Sequence, residues 1–303
     1  MNPLVSIIIP CFNGESTIQR AIQSVINQNY RPIQLIVIND GSTDHSLNII
    51  ESTKKTISLS GIEMVLINQK NRGLGGAIDT GLKYVNGKYL AWIDADDELM
   101  PKSVSIRVDY LETNDDFSSV SSDAYLVTEQ EWEKPKKTLC HNKELNKQEN
   151  QFENMLLGKS LFCPGCHLIR YDRFVIANNG NSIYPAKHGQ NWQMLLPIYY
   201  NAKHGFIDLP LYKYRIDSSS MSGFFNTASS IKIYKRHNEY IRLVDSTLRR
   251  IKGLPPYDRK RYMHVYRMFV YDRNIDIALD KKKPLEKYFW ALCKKLSFSH
   301  HKF

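Results

Sequence analysis

Apolar and polar positions along the first hundred residues fall in blocks. The runs LVSIIIP from Leu4, IQLIVIND from Ile33, EMVLINQ from Glu63 and YLAWID from Tyr89 are short and nearly continuous in apolar residues. Between them lie STIQRAIQSVINQ, a stretch starting at Asp44, and GGAIDTGLKYV, each with apolar residues at helical spacing. Short apolar runs bounded by such stretches predict strands buried on both faces, with helices as the crossovers that parallel strands need. The expected fold class is α/β: a mixed, mainly parallel sheet flanked by helices. Ligands of open sheets of this kind gather at the carboxyl ends of the strands. Three polar clusters fall at such ends: Cys11-Phe12-Asn13, Asn39-Asp40-Gly41-Ser42, and the acids after Ile93.

Later in the chain the pattern changes. Glu129 to Gln151 is polar and charged and reads as a long exposed excursion. Beyond Phe225, helical periodicity rich in Tyr, Arg and Lys, broken at GLPP, predicts a helical C-terminal region. The expected division is residues 1–225, itself in two halves of about 1–110 and about 111–225, followed by 226–303.

Composition narrows this picture. A chain of 303 residues with 42% apolar content can bury a sizeable core. Five scattered cysteines do not make a secreted disulfide framework, so reduced thiols and a cytoplasmic setting are expected. No basic leader precedes LVSIIIP, and that run is far shorter than the roughly 20 residues of a membrane span. The net charge is +10, unevenly spread: residues 226–303 hold 19 of the 41 Lys and Arg but 7 of the 31 Asp and Glu. The basicity belongs to the C-terminal region.

The acids in AWIDADDELMP pose the chemical question. Asp94, Asp96, Asp97 and Glu98 stand within five positions where a strand ends. Such a cluster needs solvent, hydrogen-bond donors or a cation. Asp40 in a shared crevice would accept hydrogen bonds from a base or ribose, while Asp94 and Asp96 hold a hard divalent cation against diphosphate oxygens. The competing reading makes DGSTD a turn with an Asp44 helix cap and DADDE a solvated helix start before Pro101.

The motifs VSIIIPCFN, VINDGSTD, NRGLGGAIDTGL and YLAWIDADDELMP, in this order, resemble the family 2 glycosyltransferases of the GT-A fold, closely over about 110 residues and more loosely through LIR and GQNWQMLLP to LYKYRIDSSSMS. The resemblance implies a hexosyltransferase-type enzyme, inverting and metal-dependent with Mn²⁺ or Mg²⁺, using a nucleotide-sugar, often UDP-linked. Its acceptor would be a glycan or lipid-linked molecule of bacterial surface-polysaccharide synthesis. By position, Pro10, Phe12 and Asn13 would line the nucleotide pocket and Asp40 would contact the base. Asp94 would reach the ribose or the metal, and Asp96 the metal. Arg215, in LYKYRIDSSSMS, would approach the diphosphate.

Two departures matter. Most relatives carry Glu-Asp before the Trp of the acceptor segment, the Asp being the base; here HGQNWQ supplies Gln190 and Asn191 ahead of Trp192. An amide does not accept that proton. Asn191 and Gln190 would then orient the acceptor beside Trp192 while Asp123 or His188 takes the proton, or a subgroup with a different acceptor uses a different mechanism, or the protein is a silent nucleotide-sugar binder or scaffold. The second departure puts Ile78 and Asp79 where many relatives have Arg-Asn, with Arg72 as a nearby source of positive charge.

Two other signals compete. CPGCH, Cys163 to His167, has the form of a redox Cys-Pro-x-Cys but lacks a supporting motif, so packing or an acceptor-loop role is expected. The basic tail with its aromatics has no nucleic-acid motif, which favours peripheral contact with an anionic membrane surface, such as the inner face of the cell membrane, or a solvated helical appendage. Membrane spans and a QxxRW motif are both lacking, which disfavours processive polymerisation.

Overall fold

The computed structural model describes residues 1–216 and 228–299. Two compact units are present: Met1–Ile216 with Arg250–Lys252, and Asp217–Arg249 with Gly253–Phe303.

The first unit is built on one sheet. Strands β1 (Val5–Cys11), β2 (Ile33–Asp40), β3 (Ile62–Gln69) and β4 (Tyr89–Trp92) pair in parallel in the order β3-β2-β1-β4. Every residue of β1 and β2 is buried. That matches their nearly continuous apolar runs, since a strand covered on both faces has no solvent side to keep polar. The crossovers are α1 (Ile18–Ile26), α2 (Ser46–Leu59) and α3 (Gly73–Leu82). Helix α1 buries Ile18, Ala21, Ile22 and Val25, the i, i+3, i+4, i+7 face of an amphipathic helix.

The other half makes the sheet mixed. After β5 (Glu98–Leu99) and α4 (Ser103–Thr113), β6 (Phe117–Val127) leads into β7 (Lys137–Thr138), α5 (Lys143–Asn146) and α6 (Phe152–Leu156). Next come β8 (His167–Arg170), α7 (Tyr171–Ala177), α8 (Gln190–Tyr199) and β9 (Lys203–Arg215). The order continues β4-β8-β6-β9-β5, with β8 antiparallel to β4 and β6, β9 parallel to β6, and β5 antiparallel to β9. The segment read as an exposed excursion is partly internal. Trp132, Cys140, Asn146 and Gln151 are buried. The polar side chains among them are satisfied locally, for example Gln151 Nε2 donating to the Leu145 and Gln148 carbonyls at 2.6 and 2.7 Å. Burial then costs little, and a polar composition does not force a segment outward.

The second unit contains α9 (Ser230–Arg250, its last residue grouped with the first unit), α10 (Pro256–Asp280) and α11 (Pro284–Ser299). Pro256 opens α10 at the position where a missing N–H costs nothing. Trp290 of α11 packs against Tyr234 and Tyr271 at ring distances of 5.0 and 5.8 Å, and Tyr234 donates to Glu286 at 2.9 Å. Among the described residues no helix is long and apolar enough to cross a membrane.

Candidate active site

The carboxyl ends of β1 and β2 are laced together. Asn13, in the left-handed region at φ 51°, donates its N–H to Ser42 Oγ at 3.0 Å, and its Oδ1 accepts from Thr43 N–H at 2.8 Å. Glu15 N–H donates to Asp44 at 3.0 Å, while His45 N–H donates back to Glu15 at 2.9 Å. Pro10 is buried inside β1, and Phe12 stands exposed at the rim. Asp40 closes β2, buried, with Oδ1 accepting from Gln69 Nε2 at 2.7 Å and Arg72 N–H at 2.9 Å. It therefore also fixes the turn that starts α3. Gly41 follows at φ 74°, where a side chain would meet the Asn71 backbone nitrogen at 2.7 Å.

The β4 end carries the charge. Oxygen atoms of Asp94, Asp96 and Asp97 lie within 4.8 Å of one another. Burial, and next the neighbouring Asp96 charge, push the Asp94 carboxyl up to about 7. Burial and then repulsion from Asp96 and Asp94 also raise Asp97 well above the carboxylate range. Asp97 is buried, and two donors hold it: Tyr212 OH to Oδ2 at 2.7 Å and Arg215 N–H to Oδ1 at 2.8 Å. The Tyr212 hydroxyl also lies 3.4 Å from the Asp94 N–H, which donates to it. Three carboxyl groups crowd at this point, and the raised values of two of them reflect the cost of ionising them together. Oxygen-only ligands at this separation fit a hard divalent cation such as Mn²⁺ or Mg²⁺.

Tyr212 was not legible as a site residue, and CPGC explains its placement. Cys163, Pro164, Gly165 and Cys166 are buried, and a Cβ on Gly165 would fall 2.0 Å from the Tyr212 ring. Only glycine lets that ring lie so close. Burial first, then Cys166, drives the Cys163 thiol well above its ordinary range, opposite to a reactive cysteine. All five cysteines are free.

The acceptor-side residues are placed differently. Asn191 is buried at the start of α8, with Oδ1 accepting from Trp92 Nε1 at 3.1 Å and Nδ2 donating to the Phe162 carbonyl at 2.7 Å. Gln190 and Trp192 are also buried, and Trp192 Nε1 donates to the Met155 carbonyl at 3.1 Å. Asp123 is buried in β6, where its Oδ1 accepts the N–H groups of Ala124 at 2.7 Å and Cys140 at 2.9 Å. His188 is half-buried, just after a segment docked on α3, where Gly75 N–H donates to the Ala186 carbonyl at 2.9 Å.

The arginines have partners of their own. Arg72 donates to Thr80 at 2.9 Å and reaches Asp79 at 3.4 Å. Asp79 also accepts from Ser182 Oγ at 2.6 Å and Ile183 N–H at 3.0 Å, so the residue that departs from the family pattern pins residues 182–183 onto α3. Arg215 lies 3.4 Å from Glu129, which also takes a two-pronged ion pair from Arg20 at 2.9 and 3.0 Å. Arg20 stacks over Trp132, 3.4 Å from the ring centre. The serines of LYKYRIDSSSMS lie outside the described residues.

A parallel β3-β2-β1-β4 half with a carboxylate cluster at its carboxyl end, continued by an antiparallel-linked half, defines a GT-A fold. The chain belongs to glycosyl transferase family 2, whose sequence profile matches residues 6–176. It is 39% identical over 129 residues to an uncharacterized glycosyltransferase of Haemophilus influenzae, covering 43% of this chain and 39% of the relative's length. It is 27% identical over 243 residues to the uncharacterized glycosyltransferase YibD of Escherichia coli, covering 79% of this chain and 68% of that one. In structure it is similar to residues 1–349 of S. aureus TarS in complex with UDP-GlcNAc: TM-score 0.66, 14% identity, 97% of this chain and 89% of that one. The mannosyltransferase PcManGT from Pyrobaculum calidifontis, in complex with GDP-Man and Mn²⁺, superposes with TM-score 0.55 and 14% identity over 100% of this chain and 82% of that one. These structural likenesses establish the fold.

Proposed function

We propose that the protein transfers a hexose from a nucleotide-sugar, UDP-linked, to a hydroxyl of a glycan or lipid-linked acceptor in surface-polysaccharide synthesis, with inversion. Transfer resides in residues 1–225, with the basic helical region at 226–303. The observation that carries this reading is the Asp94–Asp96–Asp97 cluster at the carboxyl end of β4, beside the laced ends of β1 and β2. A bound Mn²⁺ or Mg²⁺ supplies charge stabilisation for the departing diphosphate. Asp94 and Asp96 hold it, and Asp97, tied to Tyr212 and the Arg215 N–H, keeps their loop in place. Asp40 and Asn13 border the base, Pro10 and Phe12 its pocket, and Arg72 and Arg215 contribute positive charge on the donor side. Binding the donor in a fixed pose lets an acceptor hydroxyl attack the anomeric carbon from the opposite face.

The acceptor hydroxyl must lose a proton. Of the three candidates, Asn191 and Asp123 are buried and hydrogen-bonded to structural partners, whereas His188 is half-buried. His188 takes the proton in this reading, and Gln190, Asn191 and Trp192 shape the acceptor wall. The tie of the Asn191 amide to Trp92 and the Phe162 carbonyl favours a second reading, a silent nucleotide-sugar binder.

A thermal-shift screen of UDP-, GDP- and dTDP-sugars with and without Mn²⁺, followed by assay of nucleotide release, tests both. Metal-dependent stabilisation by one nucleotide with slow release supports the transferase. Stabilisation without turnover, even with acceptor extracts, supports the binder. No stabilisation overturns the donor-site assignment.

A further inference from the structure

Helix α11 is apolar on two sides, and the described fold covers one. Trp290 faces Tyr234 and Tyr271, and Glu286, one turn before it, accepts from Tyr234. Leu285, Tyr288, Phe289 and Leu292 stand at i, i+3, i+4 and i+7, a single stripe roughly a third of the circumference from the packed side. They are 83%, 73%, 56% and 54% exposed. Four large apolar side chains gathered on one helical face are not the scattered exposure of an ordinary surface.

The exposed charges flanking the stripe are mainly basic, although Asp280 at the end of α10 is exposed as well. Lys282 and Lys283 precede the helix, Lys295 stands beside the stripe, and all three are exposed, while Lys287 lies on the opposite side of the helix. The one acid of α11, Glu286, accepts from Tyr234, and Lys294 pairs with Asp272. A second copy seated on this face by two-fold symmetry would bring the lysines of both copies together, which opposes association. An anionic lipid surface pairs with them instead. The helix has 16 residues, short of the roughly 20 that cross a bilayer, so it would lie in the interface. Tyr288 and Phe289 suit the headgroup boundary, and lysine stems extend along it while their ammonium groups reach the phosphates.

We propose that the exposed face of α11 docks the protein on an anionic membrane surface, with Leu285, Tyr288, Phe289 and Leu292 entering the interface and Lys282, Lys283 and Lys295 contacting headgroup phosphates. The inference is independent of the transfer reaction and survives a failure of the donor-site reading.

The test is co-sedimentation of the full chain with phosphatidylcholine vesicles, with and without phosphatidylglycerol, at low and high salt. Binding is expected only with phosphatidylglycerol, weakening as salt rises. Each lysine is worth about fivefold in partitioning, so the combined Lys282→Gln, Lys283→Gln, Lys295→Gln variant should bind roughly a hundredfold more weakly. Leu285→Gln, Phe289→Gln and Leu292→Gln together should lose at least about tenfold. Melting temperature and nucleotide titration, measured on the same variants, should stay at wild-type values because the substituted residues are exposed. Equal binding to both vesicle types, no binding to either, or an apolar-stripe variant that converts a dimer to a monomer without changing vesicle binding would each overturn the proposal.

Discussion

The acidic loop after β4 and the first turn of α8 are both marked by motif spacing, yet they differ in how their polar atoms are paired. At the loop, three carboxyl groups crowd together, and two have raised pKa values. At α8, both ends of the Asn191 amide are paired, with Trp92 and Phe162. A site that awaits a ligand keeps electrostatic demand unmet, because the ligand supplies what is missing. A buried amide bonded through both its oxygen and its nitrogen to fixed partners mainly holds its neighbours together.

The sharpest test is Asp96→Ala, which should reduce Mn²⁺-supported nucleotide binding below detection by calorimetry while leaving any metal-independent binding in place. Undiminished Mn²⁺-dependent affinity would end the contrast on the donor side. Tyr212→Phe keeps the ring over Gly165 but removes the hydroxyl; metal affinity should drop about tenfold, as for loss of a partner behind a ligand. Wild-type affinity would mean that the Arg215 N–H suffices to hold the loop.

Asn191→Asp probes the other side. A carboxylate there would face the Phe162 carbonyl and lose a donor, so denaturant unfolding should show a loss of roughly 1–3 kcal/mol. A variant that folded as stably as the parent and turned over faster would show that this turn retains the catalytic geometry of the family.

The smallest effect concerns the histidines behind α8. His204 bonds Ser119 and Ser121 at 2.8 Å each, and the Tyr199 hydroxyl lies 3.3 Å from His167. Burial first, then the Arg107 charge, lowers His167 to about 3, and burial lowers His204 well below its ordinary value. Both are neutral when folded, so their stabilisation is complete above about pH 6.5 and declines as acid protonates the unfolded chain, through the window down to about 3 for His167. The raised pKa of Asp94 acts with the opposite sign, which makes the difference between variants the useful quantity. Wild type should lose roughly 0.5–1 kcal/mol more than His167→Gln between pH 7 and pH 6. Identical slopes would mean that His167 takes up its proton equally in the folded and unfolded chain, so that burial does not depress it.

The parallel half was legible because its signals are local. Continuous apolar runs, helical spacing and the acids after Ile93 all lie within short windows, which is enough to read parallel strands joined by helices, while the order β3-β2-β1-β4 comes from the structure. The Asp94–Asp96 pair was visible for the same reason. Asp97 was seen only as one more acid, and its partner Tyr212 stands 115 positions away in β9, a strand whose parallel pairing with β6 no local pattern encodes. Gly165 gave the other misleading cue. CPGC has the spacing of a redox motif, but the physical demand is for a residue without a side chain beneath a ring. The role of Asn191 depended on Trp92, 99 positions earlier.

The clamp on Asp97 also bears on how the protein is made. The acidic loop leaves the ribosome with β4, but Tyr212 and Arg215 follow more than a hundred residues later. At typical elongation rates that interval is on the order of ten seconds. During it, the nascent chain carries a crowded set of carboxylates with neither donor in place, and β6 lacks its parallel neighbour β9. Completion of the metal-holding loop and closure of that sheet edge are therefore one late event in synthesis, reached when β9 inserts between β6 and β5.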